Sequence, residues 1–442
     1  MQIAHFQNPF YEFIKSCNES WIDIDNIPRT SKDHILGTCT FFDAYWKQLD
    51  NLSTYVPTLY IISLDGVGSK ELYKIWEKHH LTNKTLIPQH ICDNNKAIIL
   101  FDNSAEGHCD DYMFKFISQV VDLYNLNPNT TFYGNSAINI KEIHDKTEYK
   151  NFKTMYLANF QEDTMSELFE ELQSLKVSYN NKTNLFSCLN NAPKPHRALL
   201  LGALPNSVES LVSTPTVDWQ QIQYITIQYL LQQSERKQIT ADDFNSGLEY
   251  LNNLKEWYPQ TIDDRTDDVV HMKQISTDNE FIKKLLDCDL QLITETFSDH
   301  TLVLTEKIFK AIIMKQPFII LGPNRIYKFL QQRGYKTFDH LLGLNTWKGT
   351  SNYDSETNVI KKIQFLVQHL ETLSMYKDNP KQWQEIELQN KTDAEHNYEI
   401  FKTNMYKIRD SASKGLNSWL ENYKDFKMLF DIDIDKYKYE NT

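Results

Sequence analysis

Two stretches of this sequence place positive charge where a helix should begin. In "TLVLTEKIFKAIIMKQPFIILG" (301–322), Thr305 suits an N-cap, and Ile308, Phe309, Ile312 and Ile313 recur at i, i+1, i+4 and i+5. That spacing predicts a short helix over 305–315 with one apolar face. Glu306 in the first turn complements the positive end of the helix dipole. Lys307 beside it has the wrong sign, a penalty of a few tenths of a kcal/mol unless an anion lies there. In "APKPHRALLLGAL" (192–204), Pro195 suits the first turn of another helix, and His196 and Arg197 follow it at once. Either site alone is better read as solvent-facing side chains carrying a small penalty; it is the repetition that favours a ligand. Ligands of parallel α/β sheets bind outside the carboxyl ends of strands, where helix N-termini point their N–H groups. Arg197 and Lys307 meeting there would grip a diphosphate, and Glu306 would accept hydrogen bonds from a ribose diol. That is the outline of a nucleotide-sugar site.

The elements around these residues have the alternation such a site requires. "TLYIISLDG" (58–66), "KAIILFDNS" (96–104), "NTTFYGNS" (129–136) and "FKTMYLANF" (152–160) predict strands. "SKELYKIWEKHH" (69–80) and "DYMFKFISQVVDLYNL" (111–126) predict helices between them. Strands alternating with helices imply βαβ units and a parallel sheet. A polar stretch, "VSYNNKTN" (177–184), predicts a linker, and a second α/β segment follows with strands at "LFSCLN" (185–190) and "LQLITET" (290–296). Pro317 ends the 305–315 helix, and Phe318 to Leu321 form an apolar run suited to a central parallel strand. From about 360 onward the pattern is helical and polar. The domain expectation is 1–180, 181–365 and a helical segment 366–442.

Bulk composition narrows the partners. The 442 residues are enough for two or three cores, and 59 acidic against 46 basic residues give a net charge of −13. Broad binding to nucleic acid or to an anionic membrane is disfavoured, although a local basic pocket within an acidic body is not. The six cysteines (17, 39, 92, 109, 188 and 288) are far apart, with no CxxC, and predict reduced thiols. The first twenty residues lack a basic and an apolar leader region, and no apolar run reaches ~18 residues, so a cytoplasmic protein without a membrane span is expected. GxSxG, HExxH and GxxxxGK[ST] motifs are absent, and "DGVGSKE" (65–71) lacks the third glycine of a dinucleotide fingerprint. Asp-x-Asp pairs occur at Asp23/Asp25, Asp287/Asp289 and Asp431/Asp433/Asp435, where a divalent cation would need one at a strand end in a cleft.

"LTEKIFKAIIMKQPFIILG" resembles the "TEK…vPi…G" signature in the C-terminal domain of α1,3-fucosyltransferases and their relatives of the GT-B fold. "FSCLNNAPKPHRALLLGAL" is similar to the preceding element of that family, a strand ending in Cys-Asn that leads to an arginine-started helix. The likeness spans roughly 185–322 and is topological before that. Segment 324–340 departs from the family, which leaves the donor sugar open. The resemblance implies two Rossmann-like parallel-sheet domains facing a cleft, with C-terminal helices. It implies that Arg197 and Lys307 hold the diphosphate and Glu306 the ribose, with Asn190, His196 and Thr305 completing the nucleotide-sugar set. No cofactor or metal is expected beyond the nucleotide-diphosphate sugar as co-substrate; the partners are that donor and a glycan or other hydroxyl acceptor. A family glutamate after a comparable strand serves as base, which points to Glu106 in "AIILFDNSAEGH" (97–108), with Asp102 and His108 as alternatives in the same loop. Burial at a cleft would raise such a carboxyl toward neutral pKa. The expected reaction is an inverting, metal-independent glycosyl transfer. Two alternatives stay open: a metal-dependent transferase using an Asp-x-Asp pair, and a non-catalytic structural protein that retains the fold.

Overall fold

The computed structural model describes residues 2–6, 58–64, 87, 92–93, 97–103, 111–156, 169, 182–190, 192–205, 208–214, 217–256, 258, 279–296, 301–341 and 353–414. The expected helix at 69–80, the glycine-containing segment 65–71, most of the predicted linker and the Asp23/Asp25 and Asp431/Asp433/Asp435 pairs lie outside them. The chain divides into two compact units, residues 1–164 with 404–442, and residues 165–403. It is an α/β protein with two parallel sheets and C-terminal helices, the coarse architecture that the alternating pattern predicts. No helix among the described residues is long and apolar enough to cross a membrane.

The first unit contains β1 (Gln2–Phe6), β2 (Thr58–Ser63), β3 (Ala97–Asn103), α1 (Asp111–Leu123), β4 (Thr131–Asn135), α2 (Ile140–His144) and β5 (Lys153–Tyr156). Its strands pair in the order β1-β2-β3-β4-β5, each pair parallel. Right-handed crossovers that always step in the same direction lay their helices on one face of a sheet. Phe114 of α1 stacks on His144 of α2 at 5.4 Å, as two helices on one face can. Met113, Phe114, Phe116, Ile117, Val120 and Val121 form the buried side of α1. Phe116 meets Phe101 of β3 edge-on at 6.5 Å, and Phe114 meets Tyr133 of β4 edge-on at 5.6 Å. Tyr133 also needs a polar partner inside the core, and its hydroxyl accepts from Asn103 Nδ2 (2.9 Å) and Asn135 Nδ2 (3.1 Å).

The second unit contains β6 (Asn184–Cys188), α3 (Pro195–Ala203), β7 (Ser210–Val212), α4 (Trp219–Glu235), α5 (Ala241–Lys255), α6 (Asn279–Leu286), β8 (Cys288–Thr294), α7 (Glu306–Ile313), β9 (Phe318–Leu321), α8 (Ile326–Gln332), α9 (Val359–Lys377) and α10 (Pro380–Lys414) up to residue 403. Here the strand order is β7-β6-β8-β9, again all parallel. The unit's first strand lies between its second and third, so chain direction across the sheet reverses between β6 and β8. A crevice opens at such a reversal, beyond the carboxyl ends of the two strands.

Local chemistry fixes the elements that border this crevice. Thr305 is the N-cap of α7, with extended backbone and its hydroxyl accepting from Lys307 N. Lys315, in left-handed conformation at φ 53°, ends that helix ahead of Pro317, and all four residues of β9 are buried. Behind α3, Gly202 lets the backbone of α5 come close: a Cβ there would sit 1.8 Å from the Tyr250 carbonyl oxygen. Thr240 and Asp243 form a capping box at the start of α5. Asp243 also accepts from Asn358 Nδ2 at 2.8 Å, and Asn358 is in turn the N-cap of α9. Asp243 thus ties the two helix starts together.

Candidate anion-binding site

At the reversal, β6 and β8 deliver the starts of α3 and α7 to one place. Asn190, two residues past β6, is fully buried and binds in three directions: its N–H donates to Ser213 Oγ beyond β7 (3.0 Å), its Nδ2 to Cys188 Sγ (3.2 Å), and its Oδ1 accepts from the Thr294 hydroxyl at the end of β8. Arg197, in the first turn of α3, is 3% exposed. Its guanidinium donates to the carbonyls of Ala192 (3.4 Å), Thr294 (3.3 Å) and Glu295 (3.4 Å), so that it spans the loop after β6 and the end of β8. His196 beside it is equally buried, and its Nε2 donates to the Glu295 carbonyl at 2.8 Å, which fixes the tautomer.

Glu295 is the residue that sequence reasoning missed. It follows β8 directly and is completely buried. Its carboxylate accepts from Thr305 N (3.2 Å), the Thr305 hydroxyl (2.6 Å) and Thr296 N (3.2 Å). The same Thr305 oxygen accepts from Lys307 Nζ at 3.3 Å, so a cation, a hydroxyl and a carboxylate stand in series at the start of α7. The one signal in the sequence was an acid near the carboxyl end of a predicted strand, inside the stretch 290–296, a pattern that many strands share.

The electrostatics follow from burial among cations. Desolvation first, and then the Arg197 guanidinium, push the His196 pKa down to about 3, with Lys194 and Lys307 acting in the same direction. His196 is therefore neutral, and three positive side chains lie near enough to act on it. Burial likewise pushes the Cys188 thiol beneath the site up to about 12, making it an inert neighbour rather than a nucleophile. At the adjoining strand end, Lys362 of α9 is 3% exposed. It donates to the Gly322 carbonyl (3.0 Å) and to Asn324 Oδ1 (2.9 Å), and burial lowers its pKa to about 8.

Of the residues singled out from sequence, Asn190, His196, Arg197, Thr305 and Lys307 come together here. Glu306 occupies the first position of α7, and Glu106 and His108 lie outside the described residues. No protein-family model, curated protein or solved structure matches this chain. Asp287 and Asp289 stand at the opposite, amino-terminal end of β8. Asp287 accepts from the Thr183 N–H and hydroxyl, and Asp289 pairs with Lys377 at 2.9 Å. Among the described residues, no three His, Cys, Asp or Glu side chains are grouped as a metal ion would require.

Proposed function

We propose that this protein transfers a sugar from a nucleoside-diphosphate donor to a hydroxyl acceptor, with its two parallel-sheet units in a GT-B-like arrangement. The observation that carries the proposal is the convergence of two helix starts and three cations, Lys194, Arg197 and Lys307, at the strand-order reversal of the second sheet. Helix N–H groups and fixed cations at that point favour an anion, and a diphosphate leaving group gains negative charge as the glycosidic bond breaks. In the proposed step the acceptor oxygen bonds to the anomeric carbon as the carbon–oxygen bond to the diphosphate breaks. The acceptor proton passes to a carboxylate, for which Glu106 is the candidate. Groups preorganised around the departing charge are each worth a few kcal/mol, and the chain's own cations supply that stabilisation in this scheme.

The proposal is tested by thermal shift and calorimetry with nucleoside diphosphates, nucleotide sugars and bare nucleosides. A ligand at ~100 times its Kd adds about 2.7 kcal/mol of stability. Arg197→Ala or Lys307→Ala should weaken the diphosphate far more than the nucleoside, and equal losses would remove both residues from the phosphate contact. Glu306→Gln should fold normally but lose ribose affinity. Glu106→Gln should leave donor affinity within about twofold while single-turnover transfer falls at least ~100-fold.

A second reading rests on Arg197 itself. Its buried guanidinium spans three carbonyls of its own chain, a geometry that also suits a pin between strand ends in a non-catalytic protein. A panel in which no nucleoside diphosphate shifts the melting temperature favours that reading.

A further inference from the structure

We infer that Glu295 is the positioning residue of the diphosphate site: one buried residue sets both cation-bearing helix starts, and acts on the ligand through Lys307 and Arg197 without touching it. The inference rests on the donor reading above and adds a role to a residue which that reading leaves unused.

Glu295 reaches the two sides of the crevice with different groups. Its side chain holds α7, since the carboxylate takes both the N–H and the hydroxyl of the N-cap Thr305. Its backbone carbonyl holds α3, since it accepts from His196 Nε2 and Arg197 Nη2. A shift of this residue therefore moves both helix starts together. The side chain also has little room of its own. Across the sheet, a Cβ on Gly322 would lie 3.2 Å from Glu295 Cβ and 3.3 Å from Cγ, so the end of β9 closes the space on that side. A carboxylate fits these donors where its amide isostere does not. Two acceptor oxygens serve three donors here, whereas glutamine offers one acceptor and turns an NH₂ group toward the rest. Thr305 then loses a charge-assisted partner, and Lys307 loses the fixed hydroxyl against which its ammonium rests.

The test takes whichever of ADP, CDP, GDP and UDP binds the wild-type chain best, together with its nucleoside. Both are titrated calorimetrically against wild type, Glu295→Gln, Lys307→Ala and the double variant. Glu295→Gln is expected to weaken the diphosphate at least ~10-fold while the nucleoside stays within about twofold, a selectivity that general loosening of the fold does not give. The double variant is expected to lose less diphosphate affinity than the two single losses added together, because part of the effect of Glu295 passes through Lys307. Equal loss for both ligands, or additive losses in the double variant, overturns the positioning role while leaving the donor reading intact. A wild-type chain that binds none of the four diphosphates overturns the donor reading and this inference with it. If Glu295→Gln fails to fold, Gly322→Ala takes its place, since the added methyl crowds the same side chain and leaves every cation of the site in place; the same selective loss is expected, and its absence refutes the role.

Discussion

A histidine held neutral among cations leaves a mark on stability that can be measured without any ligand. His196 is buried beside Arg197, with Lys194 and Lys307 in range, and its pKa is about 3 instead of the ordinary 6.5. The unfolded chain takes up this proton as pH falls through about 6.5, and the folded chain resists until about 3. The stability that His196 contributes is thus complete above pH 6.5 and declines as pH falls from there toward 3. At ~1.4 kcal/mol per pKa unit, going from about pH 7.5 to about pH 5 should remove about 2 kcal/mol. A lower urea midpoint at the acid pH is expected, and His196→Gln should abolish most of the difference. Because burial also lowers the pKa of His144 in the other unit, the informative quantity is the variant's pH dependence beside that of wild type. An unchanged dependence would assign the titration to another group. At this scale the sequence was legible where residues break a local rule. Lys307 and Arg197 stood out because their sign is wrong for a helix start. Glu295 breaks no local rule; only the folded chain brings it to Thr305, His196 and Arg197.

Among the elements, α7 and β9 could be read almost to their ends, because each boundary has a nearby cause: Thr305 as cap, an apolar face at helical spacing, Pro317, and a run of four buried residues. β7 could not be read, since it has only three residues and exists because β6 lies beside it. β8 begins and ends two residues earlier than the apolar run suggested, at Cys288 and Thr294, and the final predicted strand residue, Thr296, lies in the turn organised by Glu295. The α3–α5 contact was equally hidden, although Gly202 is plain in the sequence. With a Cβ built 1.8 Å from the Tyr250 carbonyl oxygen, the obstacle is backbone and cannot rotate away. Gly202→Ala should therefore push α3 off α5 and destabilise the unit by about 1–3 kcal/mol or more, as overpacked cores do. Because α3 begins with His196 and Arg197, diphosphate affinity should fall together with the melting temperature. A variant that melts like wild type would show that the helices separate at little cost.

Across the whole molecule, each of the two sheets is parallel within itself but their strand orders differ, a difference that hydrophobic patterning does not encode. The alternation of strands and helices predicted parallel sheets, whereas which strand neighbours which depends on contacts between distant residues. In the first unit each strand pairs with the one made just before it. In the second, β6 must wait for β8: the bond from Thr294 to Asn190 joins residues 104 positions apart. At the usual ~5–20 residues per second of synthesis, that separation amounts to roughly 5–20 s during which one side of β6 is unpaired on the ribosome. Ribosome-stalled chains ending before residue 288 should thus be cut by protease within β6 and α3, while chains extending past β9 should resist; equal protection of both would mean that β6 finds another partner in the meantime. The site between the two strands is accordingly assembled late. A nascent chain holds Arg197 long before it has Glu295 or Lys307, and the interval in which β6 is exposed is when a chaperone would have most to do.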